Sequence, residues 1–112
     1  MYTGIVQRGA KRGSELGFPT ANIVVPYMEL SGIYVARVKV GGNTYPAAAF
    51  ADPKRKVLEA YILDEHLDLY GKEITIELLK KLRESEIFTD DKSLRATIAD
   101  DIQNVRMHFK SL

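Results

Sequence analysis

The sequence predicts a mainly β domain that ends in one α-helix, and three observations support this prediction. Short stretches of alternating apolar and polar residues follow one another along the chain. Turn residues rather than helical stretches separate them, which favours an antiparallel sheet or small barrel over alternating β-α-β units. The C-terminal tail repeats its apolar residues with a helical period. We therefore expect antiparallel strands followed by a single covering helix.

Three strands can be placed from this alternation. Residues 34–40 alternate between the two faces of a half-buried strand, and Gly41-Gly42-Asn43 follows at once as a hairpin turn. Further strands are predicted over residues 57–63 and 74–78, with Tyr70-Gly71 marking the turn between them. No helical stretch intervenes between these segments.

One apolar stripe in the sequence predicts the C-terminal helix. Its members recur at helical spacing: Leu94, Ile98, Ile102, Val105 and Phe109. Asp90 or Asp91 is placed to cap the helix start. We expect the stripe to pack on the sheet.

Composition limits the partners of the chain. Its 112 residues form one domain, and sixteen Lys and Arg against fifteen Asp and Glu leave a net charge of +1. Such a balance offers no global field for nucleic acid or an anionic membrane. The absence of cysteine excludes a disulfide framework and fits a reducing compartment. We expect a cytoplasmic monomer without a nucleic-acid or membrane partner.

The short basic run 54–56 is either a solvated loop or a phosphate contact.

The most unusual stretch contains two glycines, a proline, a threonine and an asparagine within residues 13–22. Thr20 and Asn22 are two apart, so in an extended chain they project to one face. A hydroxyl beside a carboxamide is a pair of hard oxygen donors, suited to Mg²⁺ or to phosphate oxygens held by a metal. The alternative is a glycine-rich turn entering a strand, in which both side chains bond only to backbone groups.

Glu59 is the candidate general base. In its predicted strand it shares a face with Val57, Tyr61 and Leu63, so a carboxylate interrupts an apolar row. Desolvation there would raise its pKa. The alternative is a solvated glutamate on an outward face, since the opposite face of this strand is equally apolar.

Several segments together resemble the riboflavin kinase (flavokinase) family, in the order that the family has them. The first is Gly4-Ile5-Val6 with Gly9, followed by the specific string Leu16-Gly17-Phe18-Pro19-Thr20-Ala21-Asn22. The later ones are Ser31-Gly32-Ile33-Tyr34, the strand from Leu58 to Asp64, Leu69-Tyr70-Gly71-Lys72, Leu82-Arg83 with Phe88, and Leu94, Ile98 and Asp101 of the closing helix. The resemblance spans nearly the whole chain, so we expect one riboflavin kinase domain over residues 1–112.

This resemblance implies a six-stranded antiparallel Greek-key β-barrel with a C-terminal helix. It implies transfer of the γ-phosphate of ATP to the ribityl 5′-hydroxyl of riboflavin, giving FMN and ADP, with Mg²⁺. Glu59 is then the base that activates this hydroxyl.

The resemblance also assigns the binding residues. Thr20 and Asn22 would hold the metal, and Arg83 and Phe88 would lie on the flavin side. The nucleotide would be bound by Gly9, Lys11, Arg12, Gly13, Gly17, Pro19, Thr20 and Asn22. Without the family, Arg83 would be an exposed strand end and Phe88 a hydrophobic staple at the helix start.

The chain departs from the family pattern in the stretch 47–53, expected to be a central loop, where the usual glycine is missing. Ser85 also occupies the position of a family glutamate. This departure leaves open a rival, a catalytically weak flavin- or nucleotide-binding module of the same fold. No adenylyltransferase domain is present in these residues, so we expect no FAD synthesis unless the sequence is an excised piece.

Overall fold

The computed structural model describes residues 1–8 and 17–111, and it contains six strands and one long helix. The strands are β1 (Tyr2–Ile5), β2 (Ala21–Val24), β3 (Gly32–Val40), β4 (Asn43–Asp52), β5 (Val57–Ile62) and β6 (Glu73–Arg83), and the helix is α1 (Asp91–Lys110). Every strand pair is antiparallel. No helix in the described ranges is both long enough and apolar enough to cross a membrane.

The strands form one sheet in the order β1-β6-β3-β4-β5-β2. Hairpins join β3, β4 and β5, and β6 returns to lie beside β3, which is a Greek-key arrangement. A bridge between Gln7 and Asn22 draws the two edge strands together, so the sheet is a nearly closed barrel. The predicted fold class is confirmed.

Small and branched side chains fill the barrel interior. Leu58, Ala60 and Ile62 point inward from β5 and pack with Ile23 of β2, which is fully buried. Residues 47–51 contribute alternate alanines to this core, because a narrow barrel has room for few large side chains.

A second core lies between the outer face of the barrel and α1. Val35, Ala48 and Leu63 pack there against the helix stripe that contains Ile102 and Val105. The Asp90 carboxylate caps the helix by accepting a hydrogen bond from the Ser93 backbone N–H at 2.7 Å. The expected burial of the stripe is confirmed, and Asp90 is the N-cap.

The stretch 47–53 is not the loop that the sequence suggested. It belongs to β4 as far as Asp52, since its alanines are needed in the barrel core. The chain then reverses in a tight turn over residues 53–56. The Asp52 carboxylate stabilises this turn by accepting from the backbone N–H groups of Lys54 and Arg55 at 3.0 and 3.1 Å.

Glycine is required where β3 begins. Gly32 has φ +103°, and a Cβ there would lie 2.5 Å from the Arg83 carbonyl oxygen. The start of β3 and the end of β6 therefore lie in very close contact.

Candidate functional site

Two cavities flank the segment that enters β2. The loop cavity, of about 560 Å³, lies between residues 17–22 and the loop 65–70. The helix cavity, of about 650 Å³, lies between the β4–β5 turn, residues 83–88 and the first turns of α1. Both volumes are typical of small-molecule sites. Thr20 lines both cavities, so two ligands bound in them would meet at this residue.

Pairing of β2 with β5 brings the candidate metal and base residues together. Asn22 is the direct register partner of Glu59, so their side chains share the outer face of the barrel. The Thr20 hydroxyl donates a hydrogen bond to Glu59 Oε1 at 3.4 Å. A hydroxyl, a carboxamide and a carboxylate thus cluster where the two cavities meet.

Asn22 contributes a buried and unpartnered oxygen atom to this cluster. The residue is 7% exposed, and its Oδ1 is buried without a hydrogen-bond partner among the described residues. Leaving a buried carbonyl oxygen unpaired costs about 1–3 kcal/mol. Together with the Thr20 hydroxyl, this oxygen provides neutral oxygen ligands of the kind that suit Mg²⁺.

Glu59 is half-buried rather than solvated, with its side chain 25% exposed on the helix-cavity wall. Burial raises the pKa of this carboxyl above its usual value. The Arg55 guanidinium, 3.6 Å from Oε2, and the Thr20 hydroxyl oppose the increase in pKa without cancelling it. A carboxylate with a raised pKa is a better proton acceptor in this position than a solvated one.

Arg55 was not singled out from the sequence beyond its place in the basic run. Asp52 holds its Nε at 2.9 Å, and this ion pair directs the guanidinium towards Glu59 at the helix cavity. Lys54 also lines the helix cavity. Lys56 instead donates from Nζ to the Met28 carbonyl at 2.9 Å. Two residues of the basic run, Lys54 and Arg55, therefore line a cavity, whereas Lys56 makes a structural contact. The composition of the run did not indicate this difference.

Apolar and aromatic side chains form much of the helix cavity. Phe88 is half-buried on its wall. Phe18 lines the same wall and makes an edge-to-face contact with Tyr61, with ring centroids 5.7 Å apart. Leu94 and Ile98 of α1 complete the apolar side. Such a surface suits a flat, largely apolar ring system.

Arg83 lines the helix cavity, and three of the five N–H donors of its guanidinium are used in hydrogen bonds within the protein. Nε donates to Asp101 Oδ1 at 2.9 Å, Nη2 donates to Asp101 Oδ2 at 2.8 Å, and Nη1 donates to the Glu84 carbonyl at 2.9 Å. From the sequence, Asp101 was identified only as a member of the closing helix. Its contact with Arg83 could not be predicted, because a contact between β6 and α1 leaves no local pattern in the sequence.

The structure describes only some of the remaining residues predicted to bind the nucleotide. Gly17, with φ +90°, and Pro19 lie with Thr20 and Asn22 on the loop cavity. Gly9, Lys11, Arg12 and Gly13 lie outside the described residues. In the part of the chain that is described, no group of three or more His, Asp or Glu side chains is placed to hold a metal.

The chain is similar to several known proteins. It is 34% identical to the bifunctional riboflavin kinase/FMN adenylyltransferase of Buchnera aphidicola over 96% of this chain and 38% of that protein. The chain thus spans just over a third of that relative's length.

Two solved structures share the fold. The riboflavin kinase of Trypanosoma brucei matches with a TM-score of 0.67 and 29% identity, over 96% of this chain and 78% of that one. A Streptococcus pneumoniae structure named as a macrolide-efflux protein matches with a TM-score of 0.78 and 27% identity, over 93% of this chain and 35% of that one.

The model of the riboflavin kinase family, Flavokinase, matches residues 1–109, which is nearly the whole sequence. This match agrees with the barrel, with the two cavities that meet at Thr20, and with the order of the motifs along the chain. The chain belongs to the riboflavin kinase family.

Proposed function

We propose that residues 1–112 form an ATP-dependent riboflavin kinase domain. It transfers the γ-phosphate of ATP to the ribityl 5′-hydroxyl of riboflavin and releases FMN and ADP. The observation that carries this proposal is the Thr20–Glu59 hydrogen bond at the junction of the two cavities. Phosphoryl transfer needs the donor phosphate and the acceptor hydroxyl side by side with a proton acceptor, and this junction offers that arrangement.

The character of each cavity supports the assignment of its ligand. Riboflavin fits the helix cavity, because Phe18 and Phe88 offer aromatic surface to the isoalloxazine. ATP fits the loop cavity, where Gly17 and Pro19 leave backbone accessible and Asn22 offers an oxygen ligand. The triphosphate would then point from the loop cavity towards Thr20.

Glu59 is the proton acceptor in this proposal. Its carboxylate takes the proton of the ribityl hydroxyl as that oxygen forms a bond to the γ-phosphorus, while the bond from phosphorus to the β-γ bridging oxygen breaks. The Thr20 hydroxyl orients Oε1, and Arg55 lies against Oε2. The proton therefore moves into a site whose burial already favours the protonated carboxyl.

Thr20 and Asn22 would hold Mg²⁺, and the unpartnered Oδ1 of Asn22 fits this role. When bound, the cation would neutralise charge on the phosphate oxygens. We further propose a monomer acting in the cytoplasm, where its phosphoryl donor ATP is made available.

One assay tests the proposal. Purified protein is incubated with riboflavin, ATP and Mg²⁺, and FMN is measured by chromatography, while riboflavin affinity is measured separately by quenching of flavin fluorescence. FMN formation that requires both ATP and Mg²⁺ is the expected result. Riboflavin binding without any FMN would instead support the binding-module alternative.

A further inference from the structure

One wall of the helix cavity is formed by a segment without regular secondary structure. Residues 84–90, between β6 and α1, belong to neither a strand nor a helix. Ile87 and Phe88 both line the cavity, yet Ile87 is 98% exposed and Phe88 is only half-buried. Since Phe88 is the one residue of this segment that is not exposed, we expect contacts at the ends of the segment to contribute to its position.

The Arg83 contacts supply such an anchor. Asp101, which lies on α1 with 3% exposure, binds the guanidinium through both carboxylate oxygens, and the same guanidinium binds the carbonyl of Glu84. A planar guanidinium that makes a bidentate pair is fixed in orientation. Asp101 therefore sets where the backbone leaves β6, one residue after the strand ends.

The Glu84 side chain fixes the same point from the other side. It accepts from the Ser31 hydroxyl at 2.9 Å and forms an ion pair with Lys81. Gly32, next to Ser31, allows the close approach of β3 to the Arg83 carbonyl. The start of the 84–88 segment is thus fixed to α1 through Asp101 and to β3 through Ser31.

We propose that Asp101 is a positioning residue for flavin binding, acting through Arg83 to hold the 84–88 segment and its Phe88 at the helix cavity. The inference rests on the proposed riboflavin site. In this inference Arg83 acts by holding the segment, a role that its hydrogen bonds to Asp101 and Glu84 support, while its expected place on the flavin side stays a prediction.

Asp101→Asn tests the inference, with Asp100→Asn as the matched control. Both changes remove one carboxylate from neighbouring helix positions, but Asp100 is exposed and Asp101 is buried against Arg83. Loss of a charged hydrogen-bond partner should raise the riboflavin Kd and KM about tenfold or more in Asp101→Asn. The Kd for ADP with Mg²⁺ and the kcat at saturating riboflavin should stay within about twofold of wild type, and Asp100→Asn should match wild type in every measurement.

A double-mutant cycle with Phe88→Ala separates positioning from general stabilisation. If Asp101 acts through the segment that carries Phe88, the double variant should bind riboflavin little more weakly than the weaker-binding single variant. Additive losses would overturn the inference. An unchanged riboflavin Kd in Asp101→Asn would also overturn it, as would equal losses for riboflavin and ADP.

Arg83→Lys provides a second variant should Asp101→Asn fail to fold. Lysine keeps the charge but cannot bind Asp101 through two nitrogens while also binding the Glu84 carbonyl. The same selective loss of riboflavin affinity is expected, and its absence refutes the inference. If the wild-type protein binds riboflavin but makes no FMN, the proposed function is refuted and the inference is not, because the inference is tested by the riboflavin Kd. A wild type that does not bind riboflavin would refute both.

Discussion

Glu59→Gln is the sharpest test of the proposed chemistry, because glutamine keeps the size of the side chain and cannot accept the proton. The Thr20 hydroxyl can still donate to the glutamine carbonyl oxygen, so the contact that orients this position is retained. Loss of a general base lowers kcat by roughly 10²–10⁴. At 1.36 kcal/mol for each tenfold change, this corresponds to about 3–5 kcal/mol of transition-state stabilisation. We expect kcat and kcat/KM to decrease together and the riboflavin Kd to change little.

Stability should not decrease in this variant. A carboxyl whose pKa is raised by folding stabilises the native state below its unfolded pKa, and this contribution is lost as the pH rises through the folded value. Glu59 has a raised pKa because of burial, so at neutral pH its ionised form is unfavourable in the folded protein. Glutamine removes this unfavourable charge, and we expect a Tm equal to or above that of wild type.

Glu77→Gln is a closely matched control. Glu77 lies on β6 with its side chain 26% exposed and 3.3 Å from Arg37, whereas Glu59 is 25% exposed and 3.6 Å from Arg55. Glu77 does not line either cavity, so its substitution should leave kcat unchanged and cost at most about 1 kcal/mol of stability. FMN formation is measured by chromatography, and unfolding by circular dichroism. A Glu59→Gln enzyme as fast as Glu77→Gln would remove Glu59 from the mechanism.

Three further outcomes test the rest of the site. Thr20→Val, which is nearly isosteric, should abolish most Mg²⁺-dependent turnover and keep the circular dichroism spectrum; full activity would show that Thr20 is only structural. Phe88→Ala should weaken riboflavin binding in fluorescence quenching more than ADP binding in calorimetry, whereas equal losses with a lower Tm would support a hydrophobic staple. The pH profile of kcat/KM should decrease on the acid side with an apparent pKa above the ordinary glutamate value of 4.5, because burial raises the pKa of the Glu59 base in the free protein. A plateau through that range would count against this assignment.

Periodic patterns in the sequence predicted much of the fold. The strand expected over residues 57–63 is β5 (Val57–Ile62), and the apolar stripe from Leu94 to Phe109 is the buried side of α1. β6 extends beyond the predicted 74–78 to Arg83. The prediction ended too early because the pairing of β6 with β3 shifts register twice, which interrupts the simple alternation. Alternation can identify a regular strand but not one that passes through such irregularities.

The stretch 47–53 shows a different limit of the sequence. Its alanines give little alternation in hydrophobicity, and the missing family glycine suggested a modified loop. In the structure these small residues meet the space requirement of a narrow barrel, which depends on all six strands at once. The Arg83–Asp101 pair could not be predicted from the sequence for a similar reason. Its two residues are 18 positions apart, and only tertiary packing brings them into contact.

The site itself depends on the register of β2 against β5. The pairing places Asn22 opposite Glu59 and the core residue Ile23 opposite Leu58. Because strand side chains alternate between faces, a slip of one residue in β5 would turn Glu59 into the apolar barrel and Leu58 out towards the cavities. Burying a carboxylate without a partner costs far more than any local gain from such a slip. The fully buried Ile23 and Leu58 therefore do more than stabilise the barrel, since they fix the face on which the candidate base meets Thr20 and Asn22.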